Sequence, residues 1–351
     1  MSSPKIYIND RAVGDGEPVF VIAEAGVNHN GDLLRALELV DVAAEANADA
    51  VKFQTFVSEQ VISPLADKAE YQKVSTGNEE SQLEMVKRLE LSFADFRKIK
   101  AHCDTRNLTF LSTPFDEPSV AFLHSLNTPA FKVSSGDLTN YPLLRTIAAT
   151  HRPVILSTGM SNLSEVEEAV QVICSAGQEE LALLQCVTNY PAAAADVNLR
   201  AMDTMRERFH VPVGYSDHTL GIEIALAATA LGACIIEKHF TLDKTLPGPD
   251  HRASLEPGEL NSMIEGIRKV ESALGNGEKI PAASELPNAL IARRSLIAAV
   301  DIKEGARMAS EHIAIMRPGN GMPPKLIDRV VGLTAKVNIP AGTLLTLEMF
   351  E

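Results

Sequence analysis

Cys234-Ile235-Ile236-Glu237-Lys238-His239-Phe240-Thr241 passes from an apolar start to an acid, a base and an imidazole within one short run. A strand of that composition carries its reactive groups at its C-terminal end. Seven more runs are built alike. Their endings are Glu24-Ala25-Gly26, Lys52-Phe53-Gln54-Thr55, Ser112-Thr113-Pro114-Phe115, Lys132-Val133-Ser134-Ser135-Gly136-Asp137, Ser157-Thr158-Gly159, Thr188-Asn189-Tyr190-Pro191 and Ser216-Asp217-His218. The full runs span 19–26, 48–55, 108–115, 130–135, 153–159, 181–188, 211–218 and 234–241. They are nearly continuous in apolar residues, as strands buried on both faces should be. Amphipathic helical patterns fill the gaps, among them 32–47, 164–176 and 221–231. Asp32 is the expected cap of the first of these, and Ser164 with Glu167 the expected capping box of the second. Eight strands alternating with helices predict an α/β protein built on a (β/α)8 TIM barrel. In that fold the chemistry collects where the strands end and the βα loops begin.

Composition sets outer bounds. The chain has 351 residues, enough for one large domain and a small one. At 45% hydrophobic and 22% charged residues it reads as soluble and globular. A net charge of −14 argues against a nucleic acid partner, because phosphate backbones need a basic surface. No apolar run approaches the roughly 18 residues of a membrane span, so no membrane partner is expected. Met1-Ser2-Ser3-Pro4-Lys5 lacks the basic-then-apolar order of a leader. Cys103, Cys174, Cys186 and Cys234 show no metal or disulfide spacing and read as reduced thiols of a cytoplasmic protein.

Two stretches break the regular alternation. Residues 56–80 form a largely polar excursion after the second strand, too long for a plain βα loop and suited to a lid or binding loop. After a helix over 257–274, Gly275-Asn276-Gly277-Glu278-Lys279-Ile280-Pro281 is a turn-rich break. The expected division is a barrel domain over 1–280, a linker over 281–290 and a small β-rich domain over 291–351. That last part contains an internal echo. Asp301-Ile302-Lys303-Glu304-Gly305-Ala306 resembles Asn338-Ile339-Pro340-Ala341-Gly342-Thr343, with Glu311 and Glu348 at matching offsets. It predicts two similar turn-plus-strand units related by pseudo-symmetry.

The strand endings supply the candidate chemistry. His218 and His239 close the seventh and eighth strands, and adjacent strands lie roughly 4.8 Å apart. Two imidazoles at equal height can share a metal, and with no cysteine beside them an open site with waters suits better than structural zinc. They can equally be hydrogen-bonded core residues. Lys52 and Lys132, with Thr113, Ser135, Ser157 and Ser216, make a cradle for a phosphate or carboxylate. A barrel lysine can also form a Schiff base, which would make the protein an aldolase. Glu24 can orient a water or act as a base. Asp137, Tyr190 and Asp250 can grip sugar hydroxyls. Arg317, before the stiff turn Pro318-Gly319-Asn320-Gly321, can reach a ligand. A non-catalytic sugar-acid binding protein on the same fold also stays open.

Taken together, Ile22-Ala23-Glu24-Ala25-Gly26-Val27-Asn28-His29-Asn30-Gly31, Val51-Lys52-Phe53-Gln54-Thr55, Ser134-Ser135-Gly136-Asp137, Ile155-Leu156-Ser157-Thr158-Gly159-Met160, Ser216-Asp217-His218-Thr219 and Glu237-Lys238-His239-Phe240-Thr241 resemble the sialic acid synthases and their legionaminic and pseudaminic relatives. Arg317-Pro318-Gly319-Asn320-Gly321 resembles the signature of the antifreeze-like (SAF) β-clip domain that follows their barrel. The resemblance implies condensation of phosphoenolpyruvate with an N-acetylmannosamine-type sugar to give a nine-carbon sialic acid and phosphate. N,N'-diacetyllegionaminate formation from 2,4-diacetamido-2,4,6-trideoxymannose is the alternative product. It implies that His218 and His239 hold a divalent ion, Mn2+ first, with Mg2+ or Co2+ also suitable. Lys52, Thr113, Lys132, Ser135, Ser157, Thr188 and Ser216 would bind phosphoenolpyruvate, with Glu24 positioning or deprotonating a reacting group. Gln54, Asp137, Tyr190 and Asp250 would contact the sugar, joined in a domain-swapped homodimer by Arg317 of the partner subunit. Asp137 stands where many bacterial sialic acid synthases carry Glu, and Thr188 where some carry Asn, so the choice of mannosamine derivative stays open.

Overall fold

The computed structural model describes residues 4–77 and 79–351. The N-terminal residues 1–3 of the leader reading, and Asn78 of the excursion, lie outside them. Two compact units divide the chain, Met1–Gly275 and Asn276–Glu351.

The first unit opens with a hairpin that the sequence pattern does not reveal, β1 (Lys5–Ile8) paired antiparallel with β2 (Arg11–Gly14). Eight parallel strands follow: β3 (Phe20–Gly26), β4 (Ala50–Thr55), β5 (Thr109–Pro114), β6 (Phe131–Val133), β7 (Val154–Ser157), β8 (Leu181–Cys186), β9 (Val213–Asp217) and β10 (Ile235–His239). Their order in the sheet is β5-β4-β3-β10-β9-β8-β7-β6, and β5 and β6 approach one another to close the ring. Each of the eight expected strands is present, β3 and β4 shorter at their starts and the other six shorter where the polar ending turns into loop. The helices are α1 (Leu33–Glu45), α2 (Ser58–Val61), α3 (Glu70–Thr76), α4 (Gln82–Leu89), α5 (Phe93–Thr105), α6 (Glu117–Ser125), α7 (Tyr141–Ala148), α8 (Leu163–Ser175), α9 (Ala201–Phe209), α10 (Glu223–Ala230) and α11 (Pro257–Leu274). No helix among the described residues is long and apolar enough to cross a membrane.

Asp32 caps α1 as expected, accepting from the amides of Leu34 and Arg35. The expected cap of α8 is corrected: Asn162, not Ser164, accepts from Ser164 N and Glu165 N, and Glu165 returns the bond to Asn162 N. Both residue pairs satisfy the spacing rule, and the earlier one lets Leu163 enter the helix.

Strand parity sorts the side chains. Val21, Val51, Phe110, Leu156, Leu183 and Ile236 face outward into the core shared with the helices. Phe20, Ile22, Ala50, Leu111, Ile155 and Ile235 face inward and fill the end of the barrel where the strands begin. Ile6, Ile8 and Val13 of the hairpin pack onto that inner layer, so the hairpin plugs the barrel floor from below. Above this layer the inward side chains become polar. A barrel core of apolar layers below and reactive layers above leaves a single open end.

The second unit has α12 (Leu286–Ala292), then β11 (Ser295–Ala298) paired antiparallel with β12 (Ile313–Met316). The internal echo is a structural one. Ile302 and Ile339 exchange both backbone bonds at 2.8 Å. Asp301 accepts from Ala341 N at 2.8 Å, and Asn338 accepts from Glu304 N at 3.0 Å. The two turns therefore brace each other reciprocally, each acidic or amide side chain capping its counterpart. Short 3-10 turns containing Glu311 and Glu348 follow at equivalent places. Leu296, Ile302, Met308, Ile339 and Leu345 form the core of this unit.

Truncating a plug residue tests the hairpin. Ile8→Ala removes a side chain that is 1% exposed, and about 2–5 kcal/mol of unfolding free energy should be lost. Denaturant titration of wild type and variant measures it.

Candidate active site

The polar layers end in a cavity of about 420 Å³ at the C-terminal end of the strands. Register explains who meets whom. His239 stands opposite Glu24 and Glu24 opposite Lys52 across the β10-β3-β4 ladder, while Ser216 of β9 stands opposite both Glu237 and Cys186. Each of these side chains follows the inward parity of its strand.

Lys52 and Lys132 are both about 3% exposed. Lys52 Nζ lies 2.6 Å from Glu24 Oε2, donates to Thr113 Oγ1 at 3.0 Å and lies 3.9 Å from Glu237 Oε1. Lys132 Nζ donates to Ser157 Oγ at 2.7 Å and to Val133 O at 3.0 Å, and lies 3.6 Å from Glu237 Oε1. Glu237 Oε1 also accepts from Ser216 Oγ at 3.2 Å, while Oε2 has no hydrogen-bond donor. One carboxylate thus sits between two ammonium groups, Lys132 on the strand across the ring from it and Lys52 two strands away.

Burial and charge set the protonation states. Burial works against a charged Glu237, but Lys132 and Lys52 outweigh it and hold the carboxyl below its ordinary range. Burial pushes Glu24 up to about 7, with Lys52 opposing and Glu237 adding. Burial lowers Lys132 despite Glu237, whereas for Lys52 the nearby carboxylates win and raise it. With Glu24 protonated, two ammoniums outnumber the one carboxylate between them, so this floor favours an anion. A carboxyl poised near neutrality can also give or take a proton.

The histidines converge as predicted from the strand ends, with ring centroids 5.4 Å apart. His218 Nδ1 donates to Val187 O at 2.7 Å, which fixes its tautomer and leaves Nε2 as an acceptor, 3.0 Å from the Tyr190 hydroxyl. Tyr190 also stacks against His218, at 4.1 Å between rings. Burial, followed by the charges of His218 and Lys52, drives His239 well below its ordinary value, and its Nδ1 is buried without a partner. A neutral imidazole with an orphaned nitrogen, beside one oriented by a backbone carbonyl, could supply two donors to a metal. Among the described residues no group of three His, Cys, Asp or Glu forms a closed metal cage. Water and substrate oxygens would have to complete the shell.

The other expected residues fall out unevenly. Ser135 and Thr188 line the cavity. Ser135 Oγ accepts from Gly159 N at 2.9 Å, while Thr188 Oγ1 is buried without a partner. A Cβ on Gly159 would collide with Thr188 and Ser135, so glycine lets the strand end approach them. Gln54 donates to Glu24 Oε1 at 3.2 Å. Asp250 lines the cavity, and burial pushes it up to about 6. Asp137 is not among the lining residues; its carboxylate accepts from Ser134 Oγ at 2.6 Å and Asn140 Nδ2 at 3.3 Å. Arg317 lies in the second unit, where its Nε donates to Ala292 O at 3.1 Å.

Residues 39–279 match the NeuB family, and residues 293–351 match the SAF domain. The chain belongs to the NeuB family. N,N'-diacetyllegionaminic acid synthase of Legionella pneumophila is 46% identical over 342 residues, covering 96% of each chain. The protein of the same name from Campylobacter jejuni is 48% identical over 327 residues, covering 93% of this chain and 98% of that one. Among solved structures, the N-acetylneuraminic acid synthetase of Leptospira borgpetersenii superposes with a TM-score of 0.72 at 38% identity, covering 82% of this chain and 95% of that one. The legionaminic alternative therefore fits these NeuB relatives better than the sialic reading does.

Two lining residues of this NeuB barrel escaped a role in the sequence reading. Glu237 has the inward parity of His239, a signal that was available. Cys186 precedes Thr188 by one strand repeat, and its Sγ lies 3.7 Å from His218 Nδ1. What no single strand reveals is that Glu237 reaches across the barrel to two lysines.

Inorganic phosphate probes the cation pair. At 100 times its Kd it should stabilise the wild type by about 2.7 kcal/mol, read as a rise in Tm. Lys52→Met and Lys132→Met should each abolish the rise.

Proposed function

We propose that the protein is a metal-dependent N,N'-diacetyllegionaminate synthase, condensing phosphoenolpyruvate with 2,4-diacetamido-2,4,6-trideoxymannose and releasing phosphate. The observation that carries the reaction is the meeting, in one cavity, of two buried ammonium groups with two neighbouring imidazoles. The near-full-length identity to two legionaminic acid synthases supports the choice of sugar. Lys52 and Lys132, with Thr113, Ser135, Ser157, Thr188 and Ser216, hold the phosphate and carboxylate of phosphoenolpyruvate. Glu237 keeps the two ammoniums together before the anion arrives. C3 of the enol bonds to C1 of the open-chain aldehyde, water adds at C2, and the tetrahedral intermediate expels phosphate. Glu24, poised near neutrality and steadied by Gln54, moves the proton that the adding water gives up. Tyr190 and Asp250 border the sugar. His218 and His239 would hold the divalent ion, Mn2+ before Mg2+ or Co2+, which supplies Lewis-acid polarisation of the aldehyde.

A homodimer in which the partner subunit's Arg317 reaches the sugar belongs to the same reading. Exposed apolar side chains in the second unit support it, including Leu286, Leu290, Ile291 and Met316, each more than half exposed. A Schiff-base aldolase is less well supported, because two ammoniums with a cradle of hydroxyls exceed what pyruvate needs, and Lys132 Nζ already donates to Ser157 Oγ and Val133 O.

Phosphate release is expected only with both substrates and a divalent ion, with the nonulosonic acid identified by mass spectrometry. A chelator should abolish release, and His218→Ala should lower it by at least about 10²-fold. Release indifferent to both would remove the metal role, and a borohydride-trapped pyruvate adduct on Lys132 would favour the aldolase.

A further inference from the structure

The cavity has two unlike sides. Its floor is the charged layer described above. One wall is apolar, and Val27, Phe56, Val61, Val86, Leu89 and Phe115 form a hydrophobic cluster separate from both barrel cores. All six line the cavity. Val27, Phe56 and Phe115 follow the ends of β3, β4 and β5, while Val61 comes from α2 in the excursion after β4 and Val86 and Leu89 from α4 directly behind it.

The excursion is fastened over the mouth. Glu90 accepts from Ser58 N at 2.9 Å and from the Ser58 hydroxyl, and Asp116 accepts from Val57 N at 2.7 Å. Lys68 donates to Thr76 Oγ1, Gly77 O and Glu80 Oε1 at 3.0–3.2 Å. Gly31, with φ of +74°, lies against Arg88 O where no Cβ would fit. A wall held this way keeps its shape, and an apolar surface beside a polar floor calls for a ligand with one apolar edge. Gln72 of the excursion, whose Oε1 accepts from Ala69 N, and Gln82 at the start of α4 also line the cavity, giving uncharged groups suited to an amide.

We infer that this wall receives the C6 methyl and the 4-acetamido group of the sugar, and that it, not the anion-binding floor, selects the 6-deoxy diacetamido sugar over N-acetylmannosamine. The inference rests on the functional reading above. N-acetylmannosamine carries a C6 hydroxyl in place of the methyl, which would lose water against Val61 and Val86 without gaining a partner, and its C4 hydroxyl would leave the apolar contact of the 4-acetamido methyl unmade. An apolar pocket of this kind discriminates against an added hydroxyl by no more than about 10²-fold, so the preference is graded.

The test compares kcat/KM for the two sugars in wild type and in Val61→Thr/Val86→Thr, which keeps side-chain shape and adds hydroxyls. The ratio of diacetamido sugar to N-acetylmannosamine should fall by roughly 10-fold or more, with the KM for phosphoenolpyruvate unchanged. Val86→Ala, which adds no polar group, should lower the ratio in the same direction and decides the matter if the double variant loses its thermal transition. An unchanged ratio in a wild type that does convert the diacetamido sugar overturns the wall alone. A wild type that converts only N-acetylmannosamine overturns the wall and the functional reading together.

Discussion

Two ammonium groups buried at the end of a barrel are the constraint on which the site depends. Lysine in an apolar interior is costly unless paired, and two together repel one another as well. Glu237 answers both problems by lying within 4 Å of each Nζ, with Glu24 taking Lys52 closer still. The pairing is incomplete: burial pushes Glu24 up to about 7, so near neutral pH only Glu237 is firmly ionised against two lysines. The carboxylates hold the two ammoniums together while leaving positive charge over that an anion can meet. An ion pair optimised for stability alone would have balanced that charge.

That balance is affordable because the rest of the barrel carries no such burden. Below the reactive layers the inward side chains are apolar, and the N-terminal hairpin closes the ring beneath them with Ile6, Ile8 and Val13. Outside, the same strands offer valines, leucines and phenylalanines to the helices. Lys238 illustrates the division. It follows the opposite parity to Glu237, points away from the cavity and is fully paired with Asp217 at 2.7 Å and with Thr219 O at 2.7 Å. Adjacent residues on one strand thus serve catalysis and structure, separated by the alternation of the pleat.

Parity is also why so much of the site was legible beforehand. Glu24, Lys52, Thr113, Lys132, Ser157, Ser216, His218 and His239 end strands on one face, and a parallel ring brings such ends together whatever the loops do. Contacts across the ring were not legible, because spacing along a strand carries no information about the strand facing it. The role of Glu237 belongs to that class. So does the bonding of Asp137 to Ser134 and Asn140, which depends on a 3-10 turn at 135–137. The hairpin escaped notice because its two strands are only four residues each. By contrast, the echo in the second unit was readable, since reciprocal capping by Asp301 and Asn338 needs the same residue chemistry at the same offset.

The excursion after β4 shows how floor and wall can vary independently. The floor is assembled from strand ends whose positions are tied to the ring, so changing one side chain disturbs its cross-barrel partners. Half of the wall, Val61, Val86 and Leu89, comes from α2 and α4, and the bonds of Glu90, Asp116 and Lys68 that hold this part of the chain do not involve Lys52, Lys132 or the histidines. Residues such as Val61 and Val86 can therefore change in polarity without touching the two lysines or the histidines. In the reaction proposed above, such a barrel can keep one condensation while its preference among mannosamine derivatives drifts, because C4 and C6, where those sugars differ, are not the carbons that react.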